Sequence, residues 1–282
     1  MKISVRNAPI LVAALVLGLF AAVKPAAADT FSIQYFEVPT GSPDFYNGNP
    51  PGLGVSYNYV MNYLGPDGLP VFNPSFTGSG VFAPASEYLN SAGEILYWSP
   101  TNPNGGQISA DGTGTITLSS SPVTMFPPGS SGPGTGGANN GTGNDGTDFE
   151  TSILTGEFTV PAASSDTVTF DIGADDMAFA YVFPVGDPTD PDSLVESLGG
   201  IHGDTVTPST TVTYGPGTYE IEIFYADRDT TNSDLSFSDD GSFTIAPPPP
   251  PPTGPVPEPS TFMLLGTGLL GAAGAMRRRL AR

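Results

Sequence analysis

Thr167-Val168-Thr169-Phe170-Asp171-Ile172-Gly173-Ala174-Asp175-Asp176-Met177-Ala178-Phe179-Ala180-Tyr181-Val182-Phe183 holds two apolar rhythms end to end. From Thr167 to Ile172 polar and apolar residues alternate, as in a strand with one face in a core. From Met177 to Phe183 every residue is apolar, as in a strand covered on both faces. Downstream, the turn Gly215-Pro216-Gly217 precedes a second alternation, Tyr219 to Ile223, with Phe224 and Tyr225 after it. Leu235, Phe237, Phe243 and Ile245 suggest closing strands, and Thr30–Val38, Val55–Leu64 and Ile108–Leu118 are strand candidates in the first half. Short strands between turns, with 36 Gly and 31 Pro against long helices, predict an all-β protein, a β-sandwich or jelly roll.

The two ends differ from this body. Residues 1–28 have the form of a secretory signal peptide. Lys2 and Arg6 precede an apolar stretch from Ile10 to Val23, and Ala26-Ala27-Ala28 offers a cleavage site that would leave Asp29 first. Near the other end six prolines, Pro247–Pro252, predict a semi-rigid spacer within 247–256 of about 3.1 Å per residue, so the folded body is expected over 29–246. Inside it, 127–148 (PPGSSGPGTGGANNGTGNDGTD) carries no large apolar residue and serves either as an interdomain linker or as one long surface loop.

Charge narrows the function classes. Residues 29–252 hold 27 acids and one base, Arg228, a formal charge of −26. Such a surface repels nucleic acid and anionic lipid and attracts cations, Ca2+ above all, although solubility alone also explains it. Cysteine is absent, which excludes disulfides and thiolate metal sites. With one histidine, His202, no multi-histidine zinc set is available, and no G-x-S-x-G elbow occurs, so the chain is not expected to be an enzyme. Arg228, flanked by Asp227 and Asp229, is expected to be a buried or semi-buried partner of carboxylates rather than a catalytic cation.

The last residues run Val256-Pro257-Glu258-Pro259-Ser260, then an uncharged apolar stretch from Thr261 to Met276, then Arg277-Arg278-Arg279. This end resembles the PEP-CTERM sorting signal. The resemblance implies a C-terminal transmembrane helix within 257–282, with the arginines on the cytoplasmic side. It also implies an exosortase as partner after Sec export, and a place in the cell envelope or outside it, with transient anchorage in the inner membrane. Exopolysaccharide production often accompanies such proteins.

Within the body, Gly173-Ala174-Asp175-Asp176, Leu198-Gly199-Gly200-Ile201-His202-Gly203 and Tyr219 through Phe237 resemble the fibro-slime domain, a relative of the PA14-type β-sandwich. Weaker echoes in Pro43-Asp44-Phe45 and Leu64–Phe72 favour one domain over 29–246 with the Gly-rich stretch as a loop. In PA14-like lectins a consecutive Asp pair binds Ca2+, which coordinates sugar hydroxyls. The resemblance thus implies Asp175 and Asp176 as metal ligands, with His202, Asp227 and Asn232 as ligand-binding candidates. Met177 and Ala178 stand where the family has a third acid and a Trp. Two readings follow: a Ca2+-assisted carbohydrate-binding or adhesion module, or a structural matrix or surface-layer component without a defined ligand.

Overall fold

The computed structural model describes residues 29–39, 41–46, 52–76, 83–100, 108–125, 148–229 and 233–250. The expected signal and transmembrane helices, most of the Gly-rich stretch, Asn232 and the PEP and arginine residues lie outside them. No helix among the described residues is long and apolar enough to cross a membrane.

The described residues form fourteen strands: β1 (Asp29–Pro39), β2 (Gly54–Ser56), β3 (Val60–Leu64), β4 (Pro70–Phe72), β5 (Ser109–Leu118), β6 (Val123–Thr124), β7 (Asp148–Val160), β8 (Asp166–Asp175), β9 (Met177–Pro184), β10 (Leu194–Ile201), β11 (Thr205–Val206), β12 (Thr210–Tyr214), β13 (Gly217–Ala226) and β14 (Asp234–Asp239). A large sheet runs β2-β10-β9-β13-β7-β1-β5 and a small one β11-β8-β14-β6, with β12 also on β8; β3 and β4 form a separate hairpin. The named pairings are antiparallel. Strands before and after the Gly-rich stretch share both sheets: β1 lies between β5 and β7, and β6 pairs with β14. The chain divides into two units, Met1–Pro248 and Pro249–Arg282.

The two sheets close on one core. From the small sheet come Val168, Phe170, Ile172 and Phe237; from the large sheet come Phe31, Ile33, Leu154, Ile221 and Ile223. This is a β-sandwich. The opening sequence explains β9. Its Ala178, Ala180 and Val182 enter the sandwich, while Met177, Phe179, Tyr181 and Phe183 enter a second cluster on the opposite face of the large sheet. That cluster is closed by Phe45, Tyr59, Tyr88, Tyr97 and Trp98 from the segments between β1 and β5. The small residues therefore face the narrow space between sheets and the large ones fill the outer layer.

Two expectations are corrected. Val55–Leu64 is not one strand, because a turn at Tyr57–Tyr59 separates β2 from β3 and folds Tyr59 inward, fully buried against Phe179. Phe243 and Ile245 form no strand of their own. Ile245 inserts as a core residue, and Ala246 makes a two-bond bridge to Glu157.

Candidate functional site

Asp175 ends β8 and Asp176 stands between β8 and β9; the peptide bond joining them is cis. They are 2% and 1% exposed. The Asp176 carboxylate is clamped by the ends of two other strands. Its Oδ1 accepts the His202 backbone N–H just past β10 at 2.8 Å, and its Oδ2 accepts the Arg228 backbone N–H just past β13, also at 2.8 Å. Burial pushes the Asp176 pKa well above the usual carboxylate range, and the Asp175 charge adds to that push. The two N–H donors and the Arg228 charge pull it back.

Around this pair the fold gathers several other groups. The Tyr225 hydroxyl donates to the Asp175 carbonyl and lies 2.9 Å from the Ser233 hydroxyl. Burial holds its pKa far above 10, and the charges of Asp227, Asp176 and Asp175 raise it further. Asp227 is fully buried, and its Oδ1 accepts the Asp229 N–H at 3.3 Å. His202 is 5% exposed, with Nδ1 3.0 Å from the Gly203 carbonyl. A carbonyl only accepts, so the proton sits on Nδ1, and Nε2 carries a lone pair that meets no hydrogen-bond partner among the described residues. Burial lowers the His202 pKa, keeping the ring neutral. The structure therefore brings Asp175, Asp176, His202 and Asp227 to one end of the sandwich.

Arg228 is fully buried. Its Nε donates to the Asp44 carbonyl at 3.0 Å rather than to a carboxylate, and its guanidinium carbon lies 5.5 Å from the centre of the Tyr97 ring. Burial works against the charge, but Tyr97, Tyr59, Asp44 and Asp176 raise its pKa, so it remains a cation. Asp44 is held in turn: Oδ2 accepts the Ala85 N–H at 2.8 Å and the Tyr97 hydroxyl at 2.9 Å. Burial raises the Asp44 pKa, with Arg228 opposing. The chain between β1 and β2 is thus locked onto the residue that clamps Asp176.

The pair offers two carboxylates to a cation. A full Ca2+ shell takes six to eight oxygens, so carbonyls or neighbouring side chains would have to complete it. Among the described residues the group of three acids with ligand atoms within 4.8 Å of one another lies elsewhere, at Glu37, Asp111 and Glu150. Glu37 and Glu150 face each other across β1 and β7, a pairing with no local sequence signal.

The site thus belongs to an all-β sandwich with a buried pair of consecutive aspartates at a strand junction. Residues 255–279 match the PEP-CTERM protein-sorting motif. The motif implies export, membrane-associated sorting and exosortase processing. No curated protein matches the chain. Among solved structures, the epithelial adhesin 9 A domain from Candida glabrata, in complex with Galβ1-4GlcNAc, is similar at 15% identity and a TM-score of 0.31, over 76% of this chain and 84% of that one. A β-glucosidase from Kluyveromyces marxianus is similar at 12% identity and a TM-score of 0.24. That likeness covers 32% of this chain, which spans 11% of the β-glucosidase chain. At TM-scores of this size neither likeness bears on function.

Proposed function

We propose that the chain is a cell-surface or matrix-associated binding protein whose body is a Ca2+-assisted carbohydrate-binding or adhesion module, and not an enzyme. One observation carries this: two adjacent, nearly inaccessible carboxylates, whose mutual repulsion a divalent cation would offset. The resemblance of the surrounding segments to PA14-like domains agrees with it. Asp175 and Asp176 would hold the ion, with His202, Asp227 and Asn232 beside the sugar. Sec export, exosortase processing of the tail, and extracellular polysaccharide as partner complete the reading.

A structural matrix or surface-layer role is the second reading. It is favoured by the fact that both Asp176 oxygens already accept main-chain N–H groups. Calcium calorimetry and thermal unfolding of the purified chain separate the two, with Asp175→Asn/Asp176→Asn as control. The binding module requires heat and a thermal shift that the control loses. Absence of both in the native chain leaves the structural role.

A further inference from the structure

At the edge of the sandwich opposite β5, the two sheets part. β2 and β10 border one side and the β11–β12 segment the other, leaving a cleft of about 330 Å3 lined by Tyr57, Glu196, Ser197, Thr207, Pro208 and Thr210 among others. Glu196 joins the sheets across this opening. It is 3% exposed, and its Oε1 accepts the Thr210 N–H at 3.0 Å. Thr207 donates its hydroxyl to the Ile172 carbonyl at 3.2 Å, which fixes the far wall. Burial pushes the Glu196 carboxyl up to about 7, so near neutrality it exists both as a hydrogen-bond donor and as an acceptor.

The opening carries one half-exposed aromatic ring, Tyr57, at 51%. Further along the same edge Val55, paired with Gly200, is 36% exposed, and Leu53 before β2 is 63% exposed. Val206 on β11 is 60% exposed. These are four of the five large hydrophobics exposed among the described residues, and Tyr57 is the one that lines the cleft. No basic side chain lines the cleft, and the body carries −26, which disfavours phosphates and uronates. A hydroxyl-bearing ligand with apolar C–H faces suits an aromatic rim above a buried carboxyl, and the volume is that of a small-ligand pocket.

We propose that this cleft is a second, calcium-independent subsite for a neutral oligosaccharide, with one sugar ring against Tyr57 and its hydroxyls on Glu196 and Thr210. It takes its ligand class from the carbohydrate-binding reading above but not its site. His202, just past the end of β10, lies six positions beyond Glu196, roughly 20 Å at about 3.3 Å per residue.

The test uses the purified full chain in EDTA on an array of neutral and uronic-acid oligosaccharides, followed by calorimetry with the strongest neutral binder. The expected result is retention of neutral glycans without calcium. Tyr57→Ala should weaken binding about tenfold with an unchanged melting temperature, since that side chain is half exposed. Glu196→Gln should weaken it severalfold. No neutral-glycan binding in EDTA, or binding that survives Tyr57→Ala intact, overturns the proposal. EDTA-resistant binding in a chain that gives no heat with calcium would instead remove the calcium reading and leave the cleft standing.

Discussion

Replacing Arg228 with methionine keeps most of the buried stem volume and removes the charge, the Nε bond to the Asp44 carbonyl and the contact with the Tyr97 ring. Two buried carboxyls, Asp44 and Asp176, then lose the cation that opposes their desolvation. Removing one member of such a buried set costs about 3–5 kcal/mol. The lower end applies here, because Asp44 keeps the Ala85 N–H and the Tyr97 hydroxyl, and Asp176 keeps its two main-chain donors. In a body of this size about 3 kcal/mol corresponds to a fall in melting temperature of roughly 6–12 °C. Circular dichroism melts at several pH values are the assay. Both carboxyls already have raised pKa values, and loss of the cation raises them further, so the deficit should grow with pH and narrow as acid protonates both. A melting temperature within about 2 °C of wild type refutes the charge argument. So does a deficit that is flat with pH, which would mark lost packing alone.

Glu196, Glu222 and Asp239 have pKa values raised to about 7, 8 and 7 by burial, with Glu220 adding to Glu222 and Asp29 to Asp239. The unfolded chain therefore ionises first. The stability these groups contribute is fully present below about pH 4 and is lost as pH rises through 7–8. Melting temperature should fall between pH 5 and 8.5, with Glu222→Gln blunting the fall; a rise over that range contradicts the burial argument. Gly199→Ala would drive a methyl into the Tyr59 side chain and should cost about 1–3 kcal/mol in urea unfolding, while Gly203→Ala, with open space at that point, should cost little. If calcium binds, melting temperature should climb with its concentration as the unfolding free energy rises, by about 2.7 kcal/mol at a hundredfold excess over Kd, and EDTA should reverse the gain.

The strands legible in advance were β8, β9 and β13, which carry a clean rhythm, and, from fainter patterns, β1, β5 and β14. The long strand β7 escaped because Gly156 interrupts it, and that glycine is required where Ile245 crosses close to the backbone. β10 escaped for the same reason, since Gly199 lies beneath the Tyr59 ring. Glycines that mark turns in a sequence here mark close approach. At the site, the Asp pair was visible because its members are adjacent. Its clamps were not, because the donors are the main-chain N–H groups of His202 and Arg228, which no side-chain type announces. The Asp44 carbonyl that receives Arg228 lies 184 positions away along the chain. Burial of Arg228 followed from its lone positive charge, whereas its seat on a carbonyl and a ring depends on three-dimensional packing.

The residues just before the proline run are fastened in three places. Thr30 donates to the Ile245 carbonyl, Ile245 donates to the Asp29 carboxylate, and Ala246 exchanges two bonds with Glu157. A protein held by its tail takes every pull at this clasp first. Both ends of the body are stitched together there, so tension entering at Ala246 spreads into β1 and β7, two interior strands of the large sheet, instead of peeling an outer strand. Clipping the chain a few residues beyond Asp29 would remove the carboxylate and the Thr30 donor together and weaken the grip on the leash without touching the Asp175–Asp176 end.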